Sequence, residues 1–394
     1  MTNCILADIG LATQTNGNMT ICNHSRTAFL DEQGNPMRLD THSLEQGWNS
    51  PTRKEIKQAL DSGIKHANCR DCWDDEAAGR ESIRLRSNEE YGHAEVIDQP
   101  RVFMFKPGNV CNLSCRHCNP YVSSKWYKDH WQATARDKMT FVEYVKQYDG
   151  IRDSYDQGNN NLWPVLKQWN DHIIFYDLYG AEPLLIDSLL DILRHSVTTG
   201  ASKNQIIHIN SNGTIWQDDF NVIFSNFKLV EMGVSIDGIY DQFEYMRYPA
   251  KWSNILQNIN NYKNLQSNYT CINLSVCITV SLLNVYYLVE YMNYFSNMKL
   301  ECGINIVHRP NYLNMRIAPD HIKQKIIDKL SSTPLLEKTW QFKIDQVINY
   351  LRLDYENRQD LMAEFWDYTN KYDSLREQSY CNYFPEFFKV LTNE

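Results

Sequence analysis

Three of the eleven cysteines in this 394-residue chain share one short loop. Residues 106–120 read Lys-Pro-Gly-Asn-Val-Cys-Asn-Leu-Ser-Cys-Arg-His-Cys-Asn-Pro, which spaces Cys111, Cys115 and Cys118 as C-x3-C-x2-C. Three thiolates this close can hold three irons of a [4Fe–4S] cluster, and because a closed cluster takes four cysteines, one iron is left open to an outside ligand. Zinc is the rival metal. Structural zinc sites pair C-x2-C motifs into a closed tetrahedron, and a triplet that starts with a three-residue gap fits that poorly.

A second set precedes the first. Cys69-Arg70-Asp71-Cys72 is a C-x2-C pair, and Cys22 and Cys4 stand upstream of it. Four thiols suit a closed [4Fe–4S] cluster or a structural zinc ion. Cys4 lies near the chain start, and without it a cluster here would also keep an open iron. Of the rest, Cys271, Cys277 and Cys302 fall in apolar, strand-like runs and read as small core residues, and Cys381 reads as a buried thiol. So many cysteines in a reducing compartment point to metal or redox use rather than disulfides.

The C-x3-C-x2-C loop resembles the signature of radical S-adenosylmethionine (SAM) enzymes. What the resemblance implies is a SAM-binding [4Fe–4S] cluster on Cys111, Cys115 and Cys118, with SAM on the open iron and His117 near its adenine. Reductive cleavage of SAM would yield a 5′-deoxyadenosyl radical, and an electron donor such as flavodoxin or ferredoxin is implied with it. Ser43-Leu44-Glu45-Gln46-Gly47-Trp48-Asn49-Ser50 resembles a stretch of the SPASM and twitch domains of peptide- and protein-modifying members. There it lies between the cysteines of an auxiliary cluster, as it does here between Cys22 and Cys69. The resemblance therefore implies a second, auxiliary [4Fe–4S] cluster on Cys4, Cys22, Cys69 and Cys72. It also implies a peptide or protein side chain as substrate, with a small molecule or sugar derivative as the alternative.

Positioning these groups requires strands that end at one edge. Runs rich in β-branched and aromatic residues begin near Pro100, His172, Gln205, Leu229, Cys271 and Cys302, separated by segments of helical periodicity. Three of the runs end in motifs similar to that family's. Gly180-Ala181-Glu182-Pro183 resembles its Gly-Gly-Glu-Pro turn, where backbone and glutamate would meet the SAM ammonium. Alanine replaces the second glycine, which matters only if a positive φ is needed there. Asn210-Ser211-Asn212-Gly213 resembles a strand end whose polar side chains would bond the SAM carboxylate or ribose. Ser235-Ile236-Asp237-Gly238 resembles another, with Ser235 facing SAM and Asp237 binding ribose or substrate. Arg247 matches an arginine that would pair with the SAM carboxylate. The bland readings of these motifs are an ordinary strand-to-helix turn, an Asn-Gly turn and a helix-capping arginine.

Six βα units, with the motifs at the C-terminal strand ends, read as an α/β fold with the repeat of a parallel barrel, and the resemblance implies that family's partial (β/α)6 TIM-like barrel over residues 96–318. Residues 1–95 read as a small Cys-rich, twitch-like α+β domain. Residues 319–394 read as an aromatic-rich helical extension that closes the open side of the barrel.

A net charge of −9 with no basic stripe argues against non-specific nucleic-acid binding. No apolar run approaches a membrane span, and the N-terminus lacks a signal-peptide pattern, so a cytoplasmic enzyme without a membrane partner is expected. Outside enzymes, a non-catalytic Fe–S electron carrier or a zinc-stabilised binding module remains open. An electron carrier needs none of the three strand-end motifs.

Overall fold

The computed structural model describes residues 2–77, 79–106, 108–149, 151 and 162–392. Met1 and Ala78 of the N-terminal region, Pro107 of the cysteine loop and residues 393–394 of the helical extension lie outside the described residues.

Eight strands form one sheet: β1 (Gly10–Thr13), β2 (Met19–Thr20), β3 (Val102–Phe105), β4 (Phe175–Leu178), β5 (Ile206–Ser211), β6 (Leu229–Ser235), β7 (Ile272–Val280) and β8 (Glu301–Ile306). Their order is β2-β1-β3-β4-β5-β6-β7-β8. Every neighbouring pair is parallel except β1–β2. The six expected strands are β3 to β8, with helices between most of them, such as Asp187–Thr199 and Leu288–Asn297. This is an α/β fold with a mostly parallel sheet, consistent with a partial barrel.

The division at residue 95 does not separate two sheets. β1 pairs in parallel with β3, Leu11 opposite Phe103, so the N-terminal region supplies two strands to the same sheet. That pairing was not legible because Gly10-Leu11-Ala12-Thr13 is short and lacks the β-branched density of a strand. The second of the two strands, β2, spans only Met19–Thr20 and ends before Cys22.

The two faces of the sheet differ. On β7, Ile272, Leu274, Val276, Ile278 and Val280 are buried, while Asn273, Ser275, Cys277 and Thr279 between them are exposed or half-buried. β5 alternates in the same way, with Ile207 and Ile209 buried and His208 and Asn210 half-buried. A parallel sheet covered on both sides would read as continuous apolar runs. Here one face packs on helices and the other is a polar trough. Cys277 therefore lies on the trough face, where Asn305 Nδ2 donates to its sulfur at 3.1 Å. Period-two alternation, not local hydrophobicity, decides its side. Cys302 is the core residue expected.

The C-terminal helices Asp320–Ser332, Gln341–Arg352 and Arg358–Arg376 form as the periodicity predicts. The last of them reaches the cysteine loop rather than only the barrel wall.

Candidate functional site

The loop that leaves β3 is held along its length. Asn109 Nδ2 donates to Pro120 O (2.8 Å) and to the Tyr127 hydroxyl (2.7 Å). Ser123 Oγ donates to Leu113 O at 2.6 Å and Trp126 Nε1 to Cys115 O at 3.0 Å. The N–H groups of Ser114 and Arg116 donate to Tyr248 O and Met246 O, each at 2.8 Å. Cys115 is buried, and Cys111 and Cys118 are half-buried. A hydrogen bond between Cys115 and Cys118 splits their acidities. The Cys115 pKa is lowered by that bond, with help from Arg247 and Arg376, and the Cys118 pKa is raised by it and by burial. Burial pushes Cys111 up to about 12.

The strand-end residues gather around this loop. Arg247 Nη1 lies 3.9 Å from Cys115 Sγ, and Asn212 Nδ2 lies 3.7 Å from Cys111 Sγ. Asn212 also bonds Asn112 Oδ1 at 2.8 Å and caps Thr214. Asp237 is fully buried. Its Oδ1 accepts from Thr279 N at 2.8 Å, and its Oδ2 faces Arg247 Nε at 2.8 Å and His117 Nδ1 at 3.4 Å. Burial works to raise its carboxyl, but Arg247 and His117 hold it well below the usual carboxylate range. His117 Nε2 meets Ser281 Oγ at 2.8 Å, which fixes the ring. So His117, Asp237 and Arg247, read as three separate SAM contacts, are placed against one another.

Glu182 is fully buried. It accepts from Ser211 Oγ (2.9 Å), Asn212 N (2.6 Å) and Leu184 N (3.2 Å), and its own N–H donates to Val110 O at 3.1 Å. It thus ties the β4 turn to the end of β5 and to the cysteine loop. Burial raises its carboxyl to about 7 against the pull of those bonds. Unfolded, the group titrates near its ordinary 4.5. Its contribution to stability is therefore complete below that value and is lost as pH rises through about 7, a change on the order of 3 kcal/mol. Urea midpoints of the metal-free protein should fall between about pH 5 and 8 by more in the wild type than in Glu182→Gln.

Gly180 and Ala181 both have positive φ, 81° and 50°. The one-residue departure from Gly-Gly thus places a Cβ in the left-handed region, where it costs roughly 1–2 kcal/mol. Ala181→Gly should raise stability by up to about 1 kcal/mol in urea unfolding, the remainder being offset by glycine's larger unfolded-state entropy.

Asn210 and Ser235 lie on the trough face of β5 and β6. A Cβ at Gly233 would come within 2.7 Å of Asn210 Oδ1, so glycine there makes room for that amide. One rung below, Asp177, His208, Glu231 and Asn273 lie in register across four strands. His208 Nδ1 pairs with Asp177 Oδ1 at 2.7 Å. Asp177, His208 and Glu231 of this rung line a cavity of about 390 Å3 together with Asn23, His24 and Arg86. The sequence reading missed it. The available signal was a single acidic residue or histidine interrupting each of β4, β5 and β6, namely Asp177, His208 and Glu231, visible as a group only once the register aligns them.

Cys4, Cys22, Cys69 and Cys72 line one enclosed, mostly apolar cavity with Leu6, Ile21 and Ile83. Burial raises all four thiols, Cys4 and Cys69 to about 12. His24 and Ile83 line this cavity and the trough cavity alike, so the second cysteine set adjoins the trough. Among the described residues no group of three or more His, Cys, Asp or Glu is arranged to hold a single metal ion.

The donors around the first loop fit an anionic group. Arg116, Arg247 and Arg376 are all buried, and Arg116 Nε and Nη1 and Arg376 Nη1 and Nη2 lack hydrogen-bond partners. A cluster carrying three thiolates is net negative, so buried guanidinium groups beside the loop would offset its charge.

No protein-family model matches the chain, and no curated protein matches it. Among solved structures it is similar to native anSMEcpe with bound AdoMet, at 17% identity over 65% of this chain and 64% of that one, with a TM-score of 0.39. It is similar to Streptococcus suis SuiB bound to S-adenosylmethionine at 11% identity over 88% and 67% of the two chains, TM-score 0.33. With SuiB bound to precursor peptide SuiA the values are 10%, 96%, 74% and 0.34. The chain spans just under two thirds of the length of the anSMEcpe chain. No helix among the described residues is long and apolar enough to cross a membrane.

Proposed function

We propose that this chain is a radical SAM enzyme with one auxiliary iron–sulfur cluster, acting on a peptide or protein side chain. The observation that carries the reading is the cysteine triplet: Cys111, Cys115 and Cys118 on the loop leaving a parallel strand, beside buried Arg247 and Arg376. These three cysteines would hold the catalytic [4Fe–4S] cluster, and Cys4, Cys22, Cys69 and Cys72 the auxiliary one. When bound, the cluster and SAM supply a 5′-deoxyadenosyl radical that takes a hydrogen atom from a substrate C–H bond.

This chain's residues do the rest. Arg247 presents a guanidinium to Cys115 and fixes Asp237. Asn212 orients toward Cys111. Gly180, Ala181 and Glu182 form the turn that would meet the SAM ammonium, with Glu182 braced by Ser211. Asn210 and Ser235 offer polar contacts on the trough. The trough, walled by the helix Ile83–Tyr91, would hold substrate away from bulk water. The peptide or protein substrate rests on the resemblance of residues 43–50 to twitch and SPASM sequences. Residues 1–95 would act as the auxiliary unit, residues 96–318 as the barrel, and a flavodoxin or ferredoxin as electron donor in the cytoplasm.

Anaerobic reconstitution with iron and sulfide, then addition of SAM and a reductant, tests the reading. About eight irons per chain and formation of 5′-deoxyadenosine are expected. A reconstituted chain that never cleaves SAM would overturn it. Stoichiometric zinc on the second cysteine set would remove the auxiliary cluster alone.

A further inference from the structure

We propose that the C-terminal Arg358–Arg376 helix is part of the catalytic site, and that Asp373 is a positioning residue which sets Cys115 and Cys118 through Arg116. The proposal rests on the reading above and adds to it a role for residues some 250 positions away in sequence.

Arg116 lies between Cys115 and His117, and its side chain is fully buried. Its Nη2 donates to Asp373 Oδ1 at 2.6 Å and to Gln378 Oε1 at 2.9 Å, and its guanidinium lies 4.1 Å over the Tyr245 ring. The Tyr245 hydroxyl donates to the same Asp373 oxygen at 2.8 Å, and Tyr380 N donates to the other at 2.6 Å. The helix also holds the loop backbone, because the Tyr368 hydroxyl donates to Arg116 O at 2.7 Å. One turn beyond Asp373, Arg376 packs over Trp126 at 4.6 Å, and Trp126 in turn donates to Cys115 O. The carbonyl oxygens of two successive loop residues are thus held by side chains on this helix or packed against it.

Burying a charge pair is poor value for stability alone, since well-packed apolar residues do as well or better. Two of the Arg116 nitrogens even lack partners. What the pair does provide is direction. A guanidinium held at a fixed carboxylate leaves the residue between Cys115 and His117 one place to sit. Groups that orient metal ligands without touching the metal typically change affinity or activity 10–100-fold when removed.

The full chain is reconstituted anaerobically as the wild type, Asp373→Asn, Asp373→Glu and Tyr368→Phe. Each is assayed for iron per chain, for the EPR spectrum of the reduced protein with and without SAM, and for 5′-deoxyadenosine made without added substrate. Circular dichroism and melting report folding. Asp373→Asn is expected to fold, to alter the SAM-dependent EPR change, and to slow 5′-deoxyadenosine formation about 10–100-fold. Asp373→Glu is expected to recover part of both, and Tyr368→Phe to show a smaller change of the same kind. A folded Asp373→Asn protein with wild-type EPR and rate overturns the proposal. If Asp373→Asn does not fold, the paired variant Arg116→Met/Asp373→Leu replaces it, and wild-type spectra there overturn the proposal equally. A wild type that binds no SAM-responsive cluster instead overturns the function proposed above, which keeps the two failures apart.

Discussion

Replacing Cys115 by alanine is expected to abolish 5′-deoxyadenosine formation and to lower iron from about eight to about four per reconstituted chain. Of the three loop cysteines this one is the most enclosed, at 5% exposure. Its carbonyl accepts from Trp126 Nε1 and Cys118 N, so its position is fixed by backbone and side chains together. Its thiol is the one of the three whose acidity is raised, by the Cys118 bond and then by Arg247 and Arg376. Loss of a group that merely orients a metal ligand costs at most about 100-fold, and loss of the ligand itself should exceed that. Cys381→Ala is the matched control. That thiol is half-buried beside Ser379 at the start of a short C-terminal helix, and its removal should leave iron and product unchanged. Equal loss in both variants would assign the effect to general thiol chemistry rather than to the loop.

The second large effect is expected at Asp237. Asp237→Ala should destabilise the metal-free chain by about 3–5 kcal/mol in urea unfolding, because it leaves the buried Arg247 charge without its carboxylate. Two further groups lose a partner, the backbone N–H of Thr279 and the Nδ1 side of the His117 ring. The pair should differ from its parts. Arg247→Met/Asp237→Leu removes both charges and should cost far less than either single change, since apolar replacement of a buried ion pair is often near neutral. Each variant should nonetheless lose SAM cleavage. Stability and activity would then part company in the double variant, the pattern expected when a charge pair is kept for chemistry. Additive costs in the double-mutant cycle would show that Arg247 and Asp237 do not depend on each other.

How much of this was legible beforehand follows from the range of each signal. Strands β3 to β8 were visible because Val, Ile and Phe cluster in short runs, and helices because apolar residues recur every three or four positions. The cysteine triplet was legible because its spacing is local. Asp237 and Arg247 could be named from short motifs, but not the fact that they pair, since no local pattern states which carboxylate a guanidinium will face. Glu182 was named as a ligand contact, whereas its bonds to Ser211 and Asn212 arise from the alignment of β4 with β5. Asp373 and Arg376 carried no signal at all. Their helix reads as ordinary, and only tertiary packing brings it to residues 115–118. The Asp177–His208–Glu231 rung lies between these extremes. Each residue is an unremarkable polar interruption of a strand, and their meaning appears only when parallel register sets them side by side.

The pairing of β1 with β3 has a consequence for how the chain can be cut. β3 is an interior strand, with β1 on one side and β4 on the other. A chain shortened to begin at residue 96 would leave the N–H and C=O groups on one side of Val102–Phe105 without their ladder. A bare apolar edge of that kind templates pairing with other chains. The polypeptide that runs from this strand into the first cysteine loop would then be the same one that invites self-association. The N-terminal segment therefore covers an apolar strand edge through β1, a role separate from that of its four cysteines.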